Sequence, residues 1–296
     1  MCGIVGLHLR DPDLYPQLGT LLEAMLGQVV ERGPDSAGVA VYGDRRRCPD
    51  GYAAVSVLAG RAGPPPGEAL AADFVDLVVT EAGATTVIAA PVTVDDLLAA
   101  VRRALPHARV VGSGTDLTVY KGTGHPRALA RAYDLAGAQG WQGLAHTRMA
   151  TESAVTPEGC HPFSVGPDQC LVHNGSFANH ATIRRDLEFE GVSFDSANDS
   201  EVGARFLAAR LAKGEDLDKA LRALCEAFDG FYTLLVTSKD GFAVVRDAIA
   251  CKPAIIAETG RWVAMASEFR ALAGLPGIED ARIYEPEPER VYAWTR

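Results

Sequence analysis

Gly3 to Leu9 is a short, mostly apolar run, the pattern of a buried strand. Leu18, Leu21, Leu22, Met25, Leu26 and Val29 follow at helical spacing and predict a helix from about Leu14 to Glu31. The segment RGPDSAG, Arg32 to Gly38, breaks that period, and a strand is expected over Val39 to Tyr42. From about Asp44 to Gly114 the pattern changes. Gly63-Pro64-Pro65-Pro66-Gly67 marks a surface loop. A short helix, a strand near Thr86 to Ala90, a helix over Val94 to Leu105 and a strand at Arg109 to Val111 are expected after it. This stretch reads as a small α/β insertion with no catalytic constellation of its own.

The main pattern returns from Leu117. Strands near Val119 and over Gly143 to His146 flank a helix around Ala128 to Ala136, and Leu171 to His173 is another strand. Apolar stripes predict helices at Ser200 to Ala212 and Asp216 to Phe228. The end is rich in strands: Phe231 to Thr237, Phe242 to Arg246, Ala254 to Ala257 and Val263 to Ala266. Such alternation of strands and helices predicts a layered α/β protein.

A chain of 296 residues, 48% hydrophobic, is long enough for one large domain or two ordinary ones and for a core that needs no disulfides. The formal net charge of -10 makes it a poor candidate for holding nucleic acid or an anionic membrane by bulk charge. Its six cysteines are irregularly spaced and form no CxxC pair, so neither a disulfide framework nor a zinc site is expected. The start, MCGIVGLHLR, lacks a signal-peptide pattern, and no apolar run approaches the roughly 18 residues of a membrane span. These features predict reduced thiols in a cytoplasmic protein.

Candidate chemistry begins at Cys2. Removal of Met1 would leave a thiol and a free α-amine on one residue. The reference pKa of that amine, about 7.7–8.0, lets it act as general base for its own thiol. A second-position cysteine alone means little; its company matters. CGIVG opens the chain, and RGPDSAG follows. Then come AHTRMAT at Ala145 to Thr151, CHPF at Cys160 to Phe163, HNG at His173 to Gly175 and NDSE at Asn198 to Glu201. In this order the motifs resemble the class II, N-terminal-nucleophile glutamine amidotransferases. Asp247, Lys252-Pro253, Ala266-Ser267-Glu268 and Tyr284-Glu285-Pro286 fit the same resemblance. It covers almost the whole chain, residues 2–296, outside the insertion at about 44–114.

The resemblance implies an α+β fold, a four-layer αββα sandwich with two mainly antiparallel sheets face to face. It implies that Cys2 attacks the side-chain amide of L-glutamine, that ammonia leaves, and that water hydrolyses the γ-glutamyl thioester. Asn174 and Gly175 inherit the oxyanion donors, although Asn-Gly alone would read as a turn. Arg148 inherits the substrate α-carboxylate, where a guanidinium can bond bidentately, and Thr151 helps on the same group. Asp199 inherits the substrate α-ammonium; by composition alone it reads as a helix N-cap, and the two roles are compatible. Arg32 is expected to support the nucleophile. His146 and His161 are expected to be structural, Cys160 and Cys170 to be buried thiols, and no metal is expected. Two departures from the family pattern stand at the pocket rim: Met149 replaces a common aromatic residue, and Glu152-Ser153 a common His-Gly pair.

The insertion and tail most resemble stand-alone amidotransferase subunits of the glutamate-synthase-like group, such as the small subunit of N-methylglutamate synthase. That likeness implies separate synthase subunits as partners, FMN on such a partner and no cofactor on this chain. Two other readings stay open: a self-sufficient hydrolase of a γ-glutamyl amide, and a non-catalytic module that binds glutamine.

Overall fold

The computed structural model describes residues 2–58, 60, 64–149 and 155–296. Met1, Gly63 of the proline loop, Thr151 and the pair Glu152-Ser153 lie outside the described residues.

Strand β1 (Gly3–Leu9) leads to helix α1 (Leu18–Gly27) and strand β2 (Ser36–Tyr42). Next come β3 (Ala53–Leu58), α2 (Pro66–Leu70), β4 (Val78–Ala82), β5 (Thr85–Ala90), α3 (Val94–Ala104) and β6 (Arg109–Gly114). The chain continues through β7 (Leu117–Thr123), α4 (Pro126–Ala132), β8 (Gln142–Arg148) and β9 (Gln169–Phe177). Helices α5 (His180–Phe189), α6 (Asp199–Ala212) and α7 (Leu217–Ala227) follow. It ends on β10 (Gly230–Ser238), β11 (Gly241–Arg246), β12 (Ile255–Glu258), β13 (Trp262–Ala266), β14 (Arg282–Tyr284) and β15 (Tyr292–Thr295).

Two antiparallel sheets carry the main body, one ordered β14-β12-β13-β1-β8-β2-β7 and the other β15-β11-β10-β9. The alternation of β1 explains their stacking. Val5, Leu7 and Leu9 face Leu18, Leu22 and Met25 of α1, while Ile4 faces Val172, Leu235 and Phe242 of the second sheet. The far side of the second sheet is covered by α5, α6 and α7 through Ile183, Leu187, Val202, Leu221 and Leu224. The result is the expected helix–sheet–sheet–helix order.

A third sheet, β4-β5-β3-β6, is built from the inserted stretch. One face packs Val55, Val57 and Ile88 under Leu97 and Val101 of α3. The other presents Ala54, Val87 and Ala89 to Tyr120 and Tyr133 of the main core. It also covers β7, the last strand of the large sheet. The Val119 N–H donates to Ser56 Oγ at 3.0 Å and the Lys121 N–H to Thr85 Oγ1 at 2.9 Å. Unpaired edge groups of β7 thus find side-chain partners in the inserted sheet.

Several elements differ from expectation. The helix expected from Leu14 to Glu31 is shorter, with 3-10 turns at Pro12–Gln17 and Val30–Arg32 on either side of α1. Pro16 has no N–H to continue a helical ladder. Ser36 to Gly38 belong to β2 rather than to a break, because their backbones pair with both β7 and β8. Strands β3, β4, β14 and β15 and helix α5 went unforeseen. Their patterns are weak: α5 buries only Ile183 and Leu187, and β14 is three residues long.

Candidate active site

Cys2 immediately precedes β1, whose neighbours on either side are β13 and β8. Its backbone is held from several directions. Arg32 Nε donates to the Cys2 carbonyl oxygen at 3.0 Å, and Asn174 Nδ2 donates to the same oxygen at 3.3 Å. Arg32 is itself anchored by Glu268, Nη1 to Oε1 at 3.1 Å. Two residues further on, the Ile4 N–H donates to Ser267 Oγ and the Ser267 N–H to the Ile4 carbonyl, both at 2.9 Å. Gly3 is pressed between neighbours: a Cβ there would lie 2.7 Å from Thr147 Oγ1 and 2.8 Å from Val29 Cβ.

Arg148 ends β8, where Ser36 pairs with it and Pro34 forms a bridge. The RGPD turn presses against this backbone so closely that a Cβ on Gly33 would lie 2.5 Å from Arg148 N.

His173, Asn174 and Gly175 lie within β9, not in a turn, with Asn174 opposite Thr233 and Gly175 opposite Tyr232. Gly175 has φ of +149°, and a Cβ would sit 1.9 Å from the Phe231 carbonyl oxygen, so only glycine fits. Strand β9 is the edge of its sheet. On the side away from β10, the Leu171 N–H reaches the Phe163 carbonyl at 2.8 Å. The His173 N–H reaches His161 Nδ1 at 3.2 Å, and the Phe177 N–H reaches Asp199 Oδ2 at 2.9 Å. Strand alternation turns the Gly175 N–H to this same edge, which borders the cleft.

Asp199 is the first residue of α6, and the N-cap is Asn198, whose Oδ1 accepts from the Ser200 N–H at 2.9 Å. Asp199 is therefore not the cap that composition suggests. Its carboxylate instead accepts from the Phe177 N–H and, at 3.3 Å, from Ser200 Oγ.

Cys2, Arg148, Asn174, Gly175 and Asp199 all line one cleft of about 850 Å³. Arg32 supports it from behind, and Thr151 lies outside the described residues. Met149 stands exposed on the rim. The cleft thus offers a guanidinium and a carboxylate, opposite charges suited to an amino-acid head group, beside a thiol and hydrogen-bond donors.

Two buried histidines, His161 and His173, line it, and a third, His146, lies behind His161. His146 and His161 stack at 4.3 Å, and His173 stacks on Phe177 at 4.3 Å. Burial pushes His146 down to about 3 and His173 to about 4, and pushes His161 well down too. All three are neutral at pH 7. Cys160 and Cys170 are buried; burial raises both thiols, Cys170 to about 12, which makes them poor thiolates. The six cysteines are free thiols. Among the described residues no group of three or more His, Cys, Asp or Glu is placed to hold a metal, and no helix is long and apolar enough to cross a membrane.

Sequence reasoning passed over Ser200 and Arg109. Ser200 stood inside the NDSE motif, but its partners come from distant strands. Arg109, in the inserted sheet, lines the cleft and donates to the Asp195 carbonyl, a contact that no local pattern signals.

Comparison with known proteins matches residues 146–274 to the glutamine amidotransferase domain family. The chain is 48% identical to the glutamine amidotransferase-like protein GlxB of Rhizobium meliloti, over 99% of this chain and 98% of that one. It is 32% identical to the amidophosphoribosyltransferase of Methanocaldococcus jannaschii over 55% of this chain and 35% of the relative. Among solved structures, the glutamine phosphoribosylpyrophosphate amidotransferase of B. subtilis superposes with a TM-score of 0.61 at 17% identity, a likeness of fold. That match covers 99% of this chain, which spans about half, 49%, of the solved one.

Proposed function

Because this chain belongs to the class II glutamine amidotransferases, we propose that it hydrolyses L-glutamine to glutamate and ammonia with Cys2 as nucleophile. The observation that carries this reading is the meeting of Cys2, Arg148, Asn174, Gly175 and Asp199 on one cleft. Residues distant in sequence arrive there from β8, β9, α6 and the N-terminus.

With Met1 removed, the α-amine of Cys2 takes the thiol proton. The sulfur attacks the amide carbon of glutamine. Negative charge develops on the amide oxygen and is met by the Asn174 amide and the Gly175 N–H. The side-chain NH2 of Asn174 carries two hydrogens, so one can hold the Cys2 carbonyl while the other meets the oxyanion. Arg148 grips the substrate carboxylate and Asp199 its ammonium. Ammonia leaves with the proton returned by the amine, and water then cleaves the γ-glutamyl thioester. Thr151 is proposed to assist Arg148.

The ammonia is used, in this reading, by a separate glutamate-synthase-like chain of the N-methylglutamate synthase kind. FMN belongs to that partner and no cofactor to this chain. The match to GlxB along nearly all of both chains supports this subgroup. Six free thiols support a reducing, cytoplasmic setting.

The test is intact mass together with glutamate release. Active protein should begin at Cys2, and a glutamine-like diazoketone should add one adduct that Cys2→Ala abolishes. Full activity with Met1 retained would overturn the base assignment, and labelling unchanged in Cys2→Ala would overturn the nucleophile. Glutamate release should also rise when a synthase partner is added; a lone chain running at about 10 per second, unaltered by any such protein, would remove the subunit reading.

A further inference from the structure

Ser200 Oγ stands at a crossing of hydrogen bonds. It lies 2.8 Å from His173 Nδ1, 3.4 Å from His161 Nε2 and 3.3 Å from Asp199 Oδ1. A hydroxyl has one hydrogen and two lone pairs, so three partners settle the direction of each bond. An ionised carboxylate only accepts, which commits the serine hydrogen to Asp199. Both imidazoles must then donate.

The surroundings agree with that assignment. His161 Nδ1 accepts from the His173 backbone N–H, so in a neutral ring its hydrogen sits on Nε2, facing Ser200. Burial lowers both His161 and His173 below the ordinary histidine range, so each ring carries one hydrogen at pH 7. In His173 the other nitrogen, Nε2, is buried with no hydrogen-bond partner among the described residues. An orphaned acceptor is tolerated more readily than an orphaned N–H, which places the His173 hydrogen on Nδ1, again facing Ser200. The chain of donors runs His173 N–H to His161, His161 Nε2–H to Ser200, and Ser200 O–H to Asp199 Oδ1. The Phe177 N–H holds Oδ2 from the other side.

We propose that Ser200 is a positioning residue for substrate recognition, aiming the Asp199 carboxylate at the α-ammonium group of glutamine. The inference rests on the reading that Asp199 takes that group. Its hydroxyl is 2% exposed at the residue level and need not touch substrate to act. Because two buried imidazoles donate into it, one of them (His161) held by a backbone N–H, its hydrogen is directed at the carboxylate rather than shared among several orientations. An Asp199 oxygen so held loses little rotational freedom on meeting an ammonium.

The experiment compares two substrates, glutamine and glutaramate, which is glutamine without its α-amino group. Ser200→Ala should raise KM for glutamine about tenfold, the worth of one hydrogen bond to a charged group, with kcat little changed. KM for glutaramate should not move, since it has no ammonium to place. Ser200→Thr keeps the hydroxyl and should restore KM for glutamine. Equal rises for both substrates would mean a merely structural role, and no rise for glutamine would likewise overturn the proposal. Asp199→Asn separates the premise from the inference. If it spares glutamine binding, the ammonium assignment itself fails; if it raises KM while Ser200→Ala does not, only the role of Ser200 fails. Should Ser200→Ala not fold, Ser200→Cys, with a weak donor in place of the hydroxyl, carries the same comparison.

Discussion

The side-chain amide of Asn174 donates to the carbonyl oxygen of Cys2 at 3.3 Å, tying the middle of β9 to the residue in front of β1. Arg32 donates to the same oxygen at 3.0 Å, so Cys2 keeps one backbone anchor when the other is lost. Asn174→Ala should therefore leave Cys2 in place but remove the donor proposed for the oxyanion. We expect kcat to fall about 100- to 1,000-fold, the typical cost of one such donor, with KM little changed. Arg32→Gln is the companion measurement. If Asn174 only held the Cys2 backbone, the two variants would lose similar activity.

Arg109 couples the inserted sheet to the cleft. It donates to the carbonyl of Asp195, in a loop whose Asp195 and Ser196 N–H groups bond the Glu201 carboxylate at 2.8 and 2.7 Å. Asp199 follows three residues after Ser196. Arg109→Ala should raise KM for glutamine about fivefold, corresponding to one ordinary hydrogen bond of about 1 kcal/mol. The melting temperature should hold, because Arg109 is exposed. An unchanged KM would leave the insertion without influence on the site.

Asp168 is a stability determinant away from the chemistry. Buried, and at φ of +53°, it accepts from the backbone N–H groups of Thr115, Asp116 and Leu117, each at 3.0 Å. These close the connection between β6 and β7. Asp168→Ala leaves that set of donors unpaired and should cost roughly 3 kcal/mol or more in urea unfolding. A loss near zero would mean that water or a relaxed turn replaces the carboxylate.

The buried histidines give a pH dependence of known sign. His146 is lowered to about 3 and His173 to about 4 from an unfolded value of 6.5. Between 6.5 and those values the unfolded chain binds more protons, so stability rises with pH. Their burial costs nothing in proton terms above about 6.5, and stability is lost as pH falls through the window, by up to ~1.4 kcal/mol per pH unit for each histidine. Urea midpoints from pH 7 to pH 5 should fall accordingly. His146→Gln should flatten the slope by close to one proton; an identical slope would show that His146 takes no part.

Much of the site was legible from residue types in order. Cys2, Asn174, Gly175, Arg148 and Asp199 were named from motifs and lie on one cleft. Helices α3, α6 and α7 were also expected close to where they lie. Helix α5, which buries only Ile183 and Leu187, was not foreseen, and the short terminal strands β14 and β15 escaped because their order comes from pairing with β12 and β11 rather than from their own pattern. Asp199 was open between cap and ligand; Asn198 takes the cap.

The sequence by itself determined which motif residues to look for and the layered class, because periodicity and residue chemistry are local properties of the chain. Tertiary structure alone decided that the inserted sheet covers the edge of β7, that the Gly175 N–H turns away from β10, and that Ser200 meets His161, His173 and Asp199. Each depends on sheet register and on which strand is left at an edge. Register joins residues far apart in the chain, so hydrogen-bond direction at the site emerges only when β9, β10 and α6 have packed.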